Sequence, residues 1–305
     1  MEIIVKVNKL EDVYTLDNVD AYLLANRQFS YRFVESFCIN KINKVRKYAH
    51  ENNKKVYVLI NKIFKDDELE KLEVFLTKLK KANVDGIFFT DFAVFMLAEK
   101  LEMADKCIFY HETFLRNTYD ILTYQESGIK KIICSKDMHL KDIKLLPKEK
   151  KDTYGIICFG YIPLYESQRK ILTHYISMNK LPKSLIHSTT LSLKEHTRDD
   201  RYKVIEQEGV SSIFDSKVYS YLPYIKELSE NINMFIVDSL FFETSYIKEV
   251  VELIKKAHQG IDVNEQLIKL DESISFTDGF LNKKIGLMLL WKKSNYLLQL
   301  EILKD

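Results

Sequence analysis

His111 and Glu112 stand side by side at the end of a short apolar run, and Asp238 ends another. An imidazole titrates near neutral pH and a carboxylate can accept or deliver a proton, so the three are candidate catalytic groups for acid–base work. Together they are also the one plausible meeting of His and carboxylates for metal-assisted hydrolysis. An adjacent pair on a strand points to opposite faces, so only one of His111 and Glu112 can face a common site. A second constellation is Cys158-Phe159-Gly160-Tyr161-Ile162-Pro163-Leu164-Tyr165-Glu166-Ser167-Gln168-Arg169-Lys170. Gly160 opens a turn there and Pro163 stiffens it. Tyr161, Tyr165, Arg169 and Lys170, with Ser167 beside them, could stack bases and hold phosphates, although a solvated loop with incidental aromatics has the same composition. No metal site is expected. There is no HExxH helix and no CxxC, and the four cysteines stand alone. Three of them sit in apolar runs and read as reduced core thiols.

These groups need a frame, and the hydrophobic pattern supplies one. Strands are expected at 3–7, 20–25, 55–61, 86–91, 106–111, 129–135, 154–159 and 233–238, mostly short runs rich in β-branched and aromatic residues. Helical spacing separates most of them, at 42–50, 66–81, 92–101, 118–127 and 141–146, and follows the last at 246–257. Strands alternating with helices mean crossovers and a parallel sheet. Eight such strands predict an α/β fold, a (β/α)8 TIM-like barrel, with an insertion at 161–231 between strands seven and eight. Within the insertion, strand-like pieces are expected at 185–190, 201–205 and 210–214, and a helix at 219–229. The barrel is expected to span 1–260, with 261–305 as a carboxyl-terminal extension packed on it. The extension carries a helix near 264–270 and a tail at 287–303 with strand-like and helix-like readings. In such a barrel the strand-end residues Asn61, Thr90, Asp91, His111, Glu112, Thr113, Ser135, Lys136, Asp137, Asp238 and Ser239 would ring one mouth. Polar residues also end strands for the simpler reason that loops are solvated.

Composition narrows the classes. The chain has 305 residues, 46% of them hydrophobic, enough to bury a substantial core. With 46 Lys and Arg against 44 Asp and Glu, the net charge of +2 neither demands nor excludes a nucleic-acid partner. No apolar run approaches the ~18 residues of a bilayer span. A cytoplasmic protein without membrane contact is expected.

The order of motifs resembles the collagenase-like peptidase family, peptidase family U-thirty-two, over nearly the whole chain. Asp20-Ala21-Tyr22-Leu23-Leu24 followed by Gln28-Phe29-Ser30-Tyr31-Arg32 looks like the family's opening motif. The stretch from Tyr48 to Val58, and Asn117-Thr118-Tyr119 through Gly128 with Ile132 and Ser135, are similar to two further segments. The 158–170 stretch aligns with the family signature and keeps Gly160, Ser167 and Arg169, and Gly279-Phe280 resembles the closing motif. The resemblance implies a barrel, and it adds Arg32 and Asn117 to the candidate substrate- or RNA-binding residues. Family members that modify RNA hold an iron–sulfur cluster through four cysteines. Here two of those positions align with Pro163 and Lys170, and the downstream pair has no counterpart. Proline cannot ligate iron and an ammonium is no thiolate. No cofactor is therefore expected.

Three readings remain open. The chain could be a non-cluster subunit of a tRNA uridine-hydroxylating assembly, paired with a longer, cysteine-containing relative. It could be a peptidase, a hydrolase as the family name says. It could also be a binding or scaffolding barrel without catalysis, a pseudoenzyme, since fold alone does not choose among chemistries.

Overall fold

The structure is a computed structural model, and it describes residues 1–282 apart from Glu112 and Arg198. Eight parallel strands form its centre: β1 (Glu2–Lys6), β2 (Ala21–Ala25), β3 (Lys55–Ile60), β4 (Gly86–Phe89), β5 (Cys107–Tyr110), β6 (Lys131–Cys134), β7 (Tyr154–Gly160) and, after an insertion, Met234–Asp238. Each pairs with its neighbour in sequence order, and Met234–Asp238 pairs with both β1 and β7, which closes the barrel. The solution is TIM-like, as the alternation predicts.

Both faces of these strands are covered, so their sequences read as nearly continuous apolar runs. Alternation still divides them. Ile4, Leu23, Tyr57, Leu59, Phe88, Ile108, Ile133, Met234 and Ile236 fill the barrel interior as one cluster. The intervening residues, among them Val5, Leu24, Val58, Phe89 and Val237, join a larger core. That core lies beneath helices whose apolar stripes match it. Ile39–Glu51 buries Ile42, Val45 and Ala49, and Leu69–Ala82 buries Leu72, Phe75, Leu76 and Leu79. The long helix Thr244–His258 buries Ile247, Val250, Val251 and Ile254.

The insertion folds as its own antiparallel sheet. Its strands are β8 (Pro163–Ser167), β9 (Ser192–Lys194), β10 (Arg201–Gln207) and β11 (Val210–Phe214), in the order β8-β11-β10-β9. The helix Ile171–Met178 contributes Leu172 and Ile176 to a small core with Leu191, Leu193 and Val204. Next come β12 (Val218–Ser220), which runs antiparallel to β7, and the barrel strand Met234–Asp238, here β13. Near the end β14 (Phe276–Thr277) pairs with β12.

The insertion is where expectation and structure part. Residues 163–167, read as part of a loop, form β8. The piece at 185–190 is not a strand: Pro182 opens a 3-10 turn, Lys183–His187, and the strand begins only at Ser192. The helix expected at 219–229 shrinks to Ile225–Leu228, because Val218–Ser220 pairs with β7 and Pro223 falls where a helix beginning at 219 would need a backbone N–H. The expected tail at 287–303 lies outside the described residues.

Candidate functional site at the barrel mouth

Strand parity decides which strand-end groups meet. Lys6 follows Ile4 on the inward face of β1, and Asp238 follows Ile236 on β13; the two are paired in register. Asn61 follows Leu59, and Tyr110 follows Ile108, by the same period of two. Lys6, Asn61, Tyr110 and Asp238, with Tyr31 and Arg32 from the loop after β2, line a pocket of about 380 Å³ at the carboxyl end of the barrel. Its floor is apolar: Leu23, Leu59, Phe88, Ile133, Ile157 and Ile236. Barrels of this kind place their sites at this face.

The polar groups are tightly organised. The Lys6 ammonium lies 2.5 Å from the Asp238 carboxylate, with side-chain exposures of 5% and 19%. It also donates to the Arg32 carbonyl at 3.1 Å. Asp238 is fixed further by the backbone N–H of Leu240, at 3.0 Å. A buried ammonium is tolerable only with such partners. Arg32 is itself buried and adopts a left-handed backbone, φ 62°. Its guanidinium lies 3.2 Å from the Glu166 carboxylate of β8. The Arg32 and Phe33 N–H groups donate to the Gln207 side chain of β10, so the insertion is tied to the rim of the mouth. Asn61 accepts from the Tyr31 N–H at 2.8 Å, which orients its amide. The amide Nδ2 is buried in the pocket wall with no hydrogen-bond partner among the described residues. Burial, helped by Glu166, Glu68 and Glu208, pushes the Tyr31 phenol up to about 12, so it stays a neutral donor at ordinary pH.

The end of β7 makes room for this arrangement. The pairing of β13 with β7 slips by one residue, so that Ile236 faces Ile157 while Val237 faces Phe159. Gly160 then passes against Asp238 at φ 138°, and a Cβ there would lie 2.7 Å from the Asp238 carbonyl oxygen. Only glycine fits such an approach.

Of the residues singled out in the sequence, Arg32, Asn61 and Asp238 share this pocket. His111 lines a neighbouring pocket of about 270 Å³ with Tyr110, Ser135 and Lys136. Its Nδ1 accepts from the Thr113 and Phe114 N–H groups, and its ring stacks on Phe114 with centroids 4.0 Å apart. Glu112 lies outside the described residues. Asn117 caps the helix Thr118–Glu126, accepting from the Asp120 N–H and donating to its carboxylate. Tyr161 stacks on Phe242 below the Lys203 ammonium. Tyr165 is exposed on β8. Ser167 accepts from the Arg169 N–H, and the Arg169 side chain is exposed. The expected mouth residue Asp91 instead caps the helix Phe92–Lys100. Lys6, Tyr31 and Tyr110 were not among the candidates, although Tyr31 stands in the family-like opening motif. A lysine in phase with the interior residue Ile4 was the available signal for the first.

An iron–sulfur cluster does not fit these side chains. Pro163 opens β8 and its carbonyl accepts from the Lys136 ammonium at 2.7 Å, while Lys170 is exposed. Cys107, Cys134 and Cys158 are buried on three different strands, and Cys38 is exposed elsewhere. Burial pushes the Cys107 and Cys134 thiols up to about 12, and that of Cys158 upward as well, so all three stay protonated. Among the described residues no three His, Cys, Asp or Glu side chains are placed to hold a metal ion. Nor is any helix among them long and apolar enough to cross a membrane.

Comparison with known proteins agrees with this architecture. The chain is 23% identical to tRNA hydroxylation protein P2 of Bacillus subtilis (strain 168) over 241 residues, 78% of each chain. It is 22% identical to tRNA hydroxylation protein P of Helicobacter pylori (strain J99) over 259 residues, which is 78% of this chain and 60% of that protein. The solved structure of the U32 peptidase Mk0906 superposes with a TM-score of 0.50 at 11% identity, covering 78% of this chain and 92% of that one, a likeness of fold. Peptidase family U32 matches residues 6–284, and the chain belongs to that family.

Proposed function

We propose that this protein is a non-cluster subunit of a tRNA-modifying, uridine-hydroxylating assembly, acting in the cytoplasm beside a longer, cysteine-containing member of its family. The observation that carries the reading is the barrel-mouth pocket itself. It combines a fixed ammonium–carboxylate pair, a buried amide Nδ2 with no partner among the described residues and two tyrosines over an apolar floor. A base turned out of its stack is planar, with an apolar face and a polar edge of donors and acceptors. The Asn61 amide and the Lys6–Asp238 pair could read that edge, while Tyr31 and Tyr110 flank the ring. The names of the Bacillus and Helicobacter relatives support tRNA as the bearer of the base. The scattered, protonated cysteines support a partner as the source of any cluster chemistry.

Peptide hydrolysis finds less support. The His111 Nδ1 already accepts from two backbone amides, and among the described residues the pocket of Lys6 and Asp238 is lined by no serine, cysteine or histidine.

Mass spectrometry of total tRNA nucleosides, with and without the gene, tests the proposal. Loss of a hydroxylated uridine is expected, and an unchanged profile would overturn it. Purified alone, the protein should carry no iron. It should co-purify with a cysteine-containing relative when the two are co-expressed. Stoichiometric iron on this chain by itself would defeat the non-cluster part of the proposal.

A further inference from the structure

From residue 167 to residue 194 the chain contains no Asp or Glu, although 44 occur in its 305 residues. The same stretch carries Arg169, Lys170, Lys180, Lys183 and Lys194. Lys194 is paired with Asp199 at 3.0 Å. The other four are exposed, and among the described residues none has a carboxylate within ion-pair distance. Some surface lysines elsewhere are paired, as Lys55 is with Glu2, Lys80 with Glu102 and Lys148 with Glu230. Others, such as Lys71 and Lys78, are not paired among the described residues, but they share their helix with Glu70 and Glu73, whereas the 167–194 stretch has no carboxylate to share. The four unpaired cations bracket the helix Ile171–Met178, two before it and two after. Eight residues at 1.5 Å each separate the two pairs by about 12 Å. Glu206, beneath this helix, is buried and accepts from Thr173 and Ser211, so it does not neutralise them at the surface. The stretch runs on to Thr189 and Thr190, which line an open cleft between insertion and barrel together with Lys9 and Lys203 and the carboxylates Asp12 and Glu243.

We infer that this face of the insertion binds the phosphate backbone of RNA. The inference rests on the proposed tRNA role and extends it: the barrel mouth takes the base, and the insertion grips the strand that carries it. Unpaired cations on a rigid helix–turn unit suit phosphates, which fix register and orientation without reading sequence. Binding of this kind releases counterions and is therefore steeply dependent on salt.

The test is fluorescence anisotropy with a labelled tRNA anticodon stem-loop between 50 and 200 mM salt, settings at which phosphate contacts dominate. Replacing all four residues (Arg169→Gln, Lys170→Gln, Lys180→Gln, Lys183→Gln) should weaken binding at least tenfold. It should also make the plot of log affinity against log salt shallower by about three, at ~0.7–0.9 per phosphate contact. The two double variants, each removing one pair, should give about half that change and keep the proposal testable if the quadruple variant folds poorly. A control lacking Lys55, Lys80 and Lys148 should bind like the wild type. Unchanged affinity and slope in folded variants would overturn the inference, as would preference for an acidic polypeptide such as polyglutamate over RNA. The two failures separate in cells. If deletion abolishes the modified nucleoside and the quadruple variant restores it fully, the surface is wrong and the tRNA role stands. If deletion changes nothing, the tRNA role itself fails.

Discussion

Lys6 and Asp238 show how much one pair can organise. Both sit at the top inward position of their strands, and each holds the other in a setting where an unpaired charge would be costly. Replacing Lys6 with Met should destabilise the fold by about 3 kcal/mol, because it strands the carboxylate. The double variant Lys6→Met/Asp238→Leu should recover part of that loss, since the uncompensated charge is then gone. Urea denaturation of the two variants checks this, and a double variant less stable than Lys6→Met would contradict it. The pair also marks how far single residues were legible. Asp238 drew attention because a carboxylate ends an apolar strand. Lys6 did not, because a lysine closing a first strand reads equally well as a solvated end. Only ring closure, which brings β13 beside β1, makes them neighbours across 232 positions.

At the scale of elements, all eight barrel staves were legible, since buried parallel strands leave runs of Val, Ile, Leu and Phe that few other structures require. The insertion was less so. β8 is mostly exposed, β9 has only three residues, and prolines at 163, 182 and 223 reset the local geometry. The slip between β7 and β13 left no sequence signature beyond Gly160 itself. Gly160→Ala should cost about 1–3 kcal/mol of backbone strain and displace Asp238. Thermal melts together with RNA binding would register both effects, and a variant of wild-type stability would contradict the close approach. The helix Thr244–His258 offers a different test. Burial, with nearby positive charge adding, lowers the pKa of His258 below its usual 6.5. Below pH 6.5 the unfolded chain therefore binds a proton that the folded chain resists, so stability present above that pH is lost as pH falls. His258→Gln should flatten the stability profile between pH 7 and 5, and an unaltered profile would show that His258 does not contribute.

For the molecule as a whole, the barrel gives a floor and a polar ring, and the insertion arches from its rim through Arg32, Glu166 and Gln207. The cysteines report on the integrity of that frame. In the native protein Ellman's reagent should titrate one thiol rapidly, that of Cys38, and the remaining three only after denaturation. Several fast thiols would mean that the strands carrying Cys107, Cys134 and Cys158 are not packed as described. Function was legible chiefly as kinship. The order of motifs pointed to the family, whereas the composition of the mouth depended on which strand ends met. The central claim is that this mouth works on tRNA. Its most direct test is nucleoside mass spectrometry of tRNA from a deletion strain complemented with the wild-type gene, with Asn61→Leu or with Asp238→Asn, each verified to be folded and expressed. Wild type should restore the hydroxylated uridine, and each variant should reduce it at least tenfold. Full restoration by both variants would place the chemistry away from the barrel mouth and contradict the account.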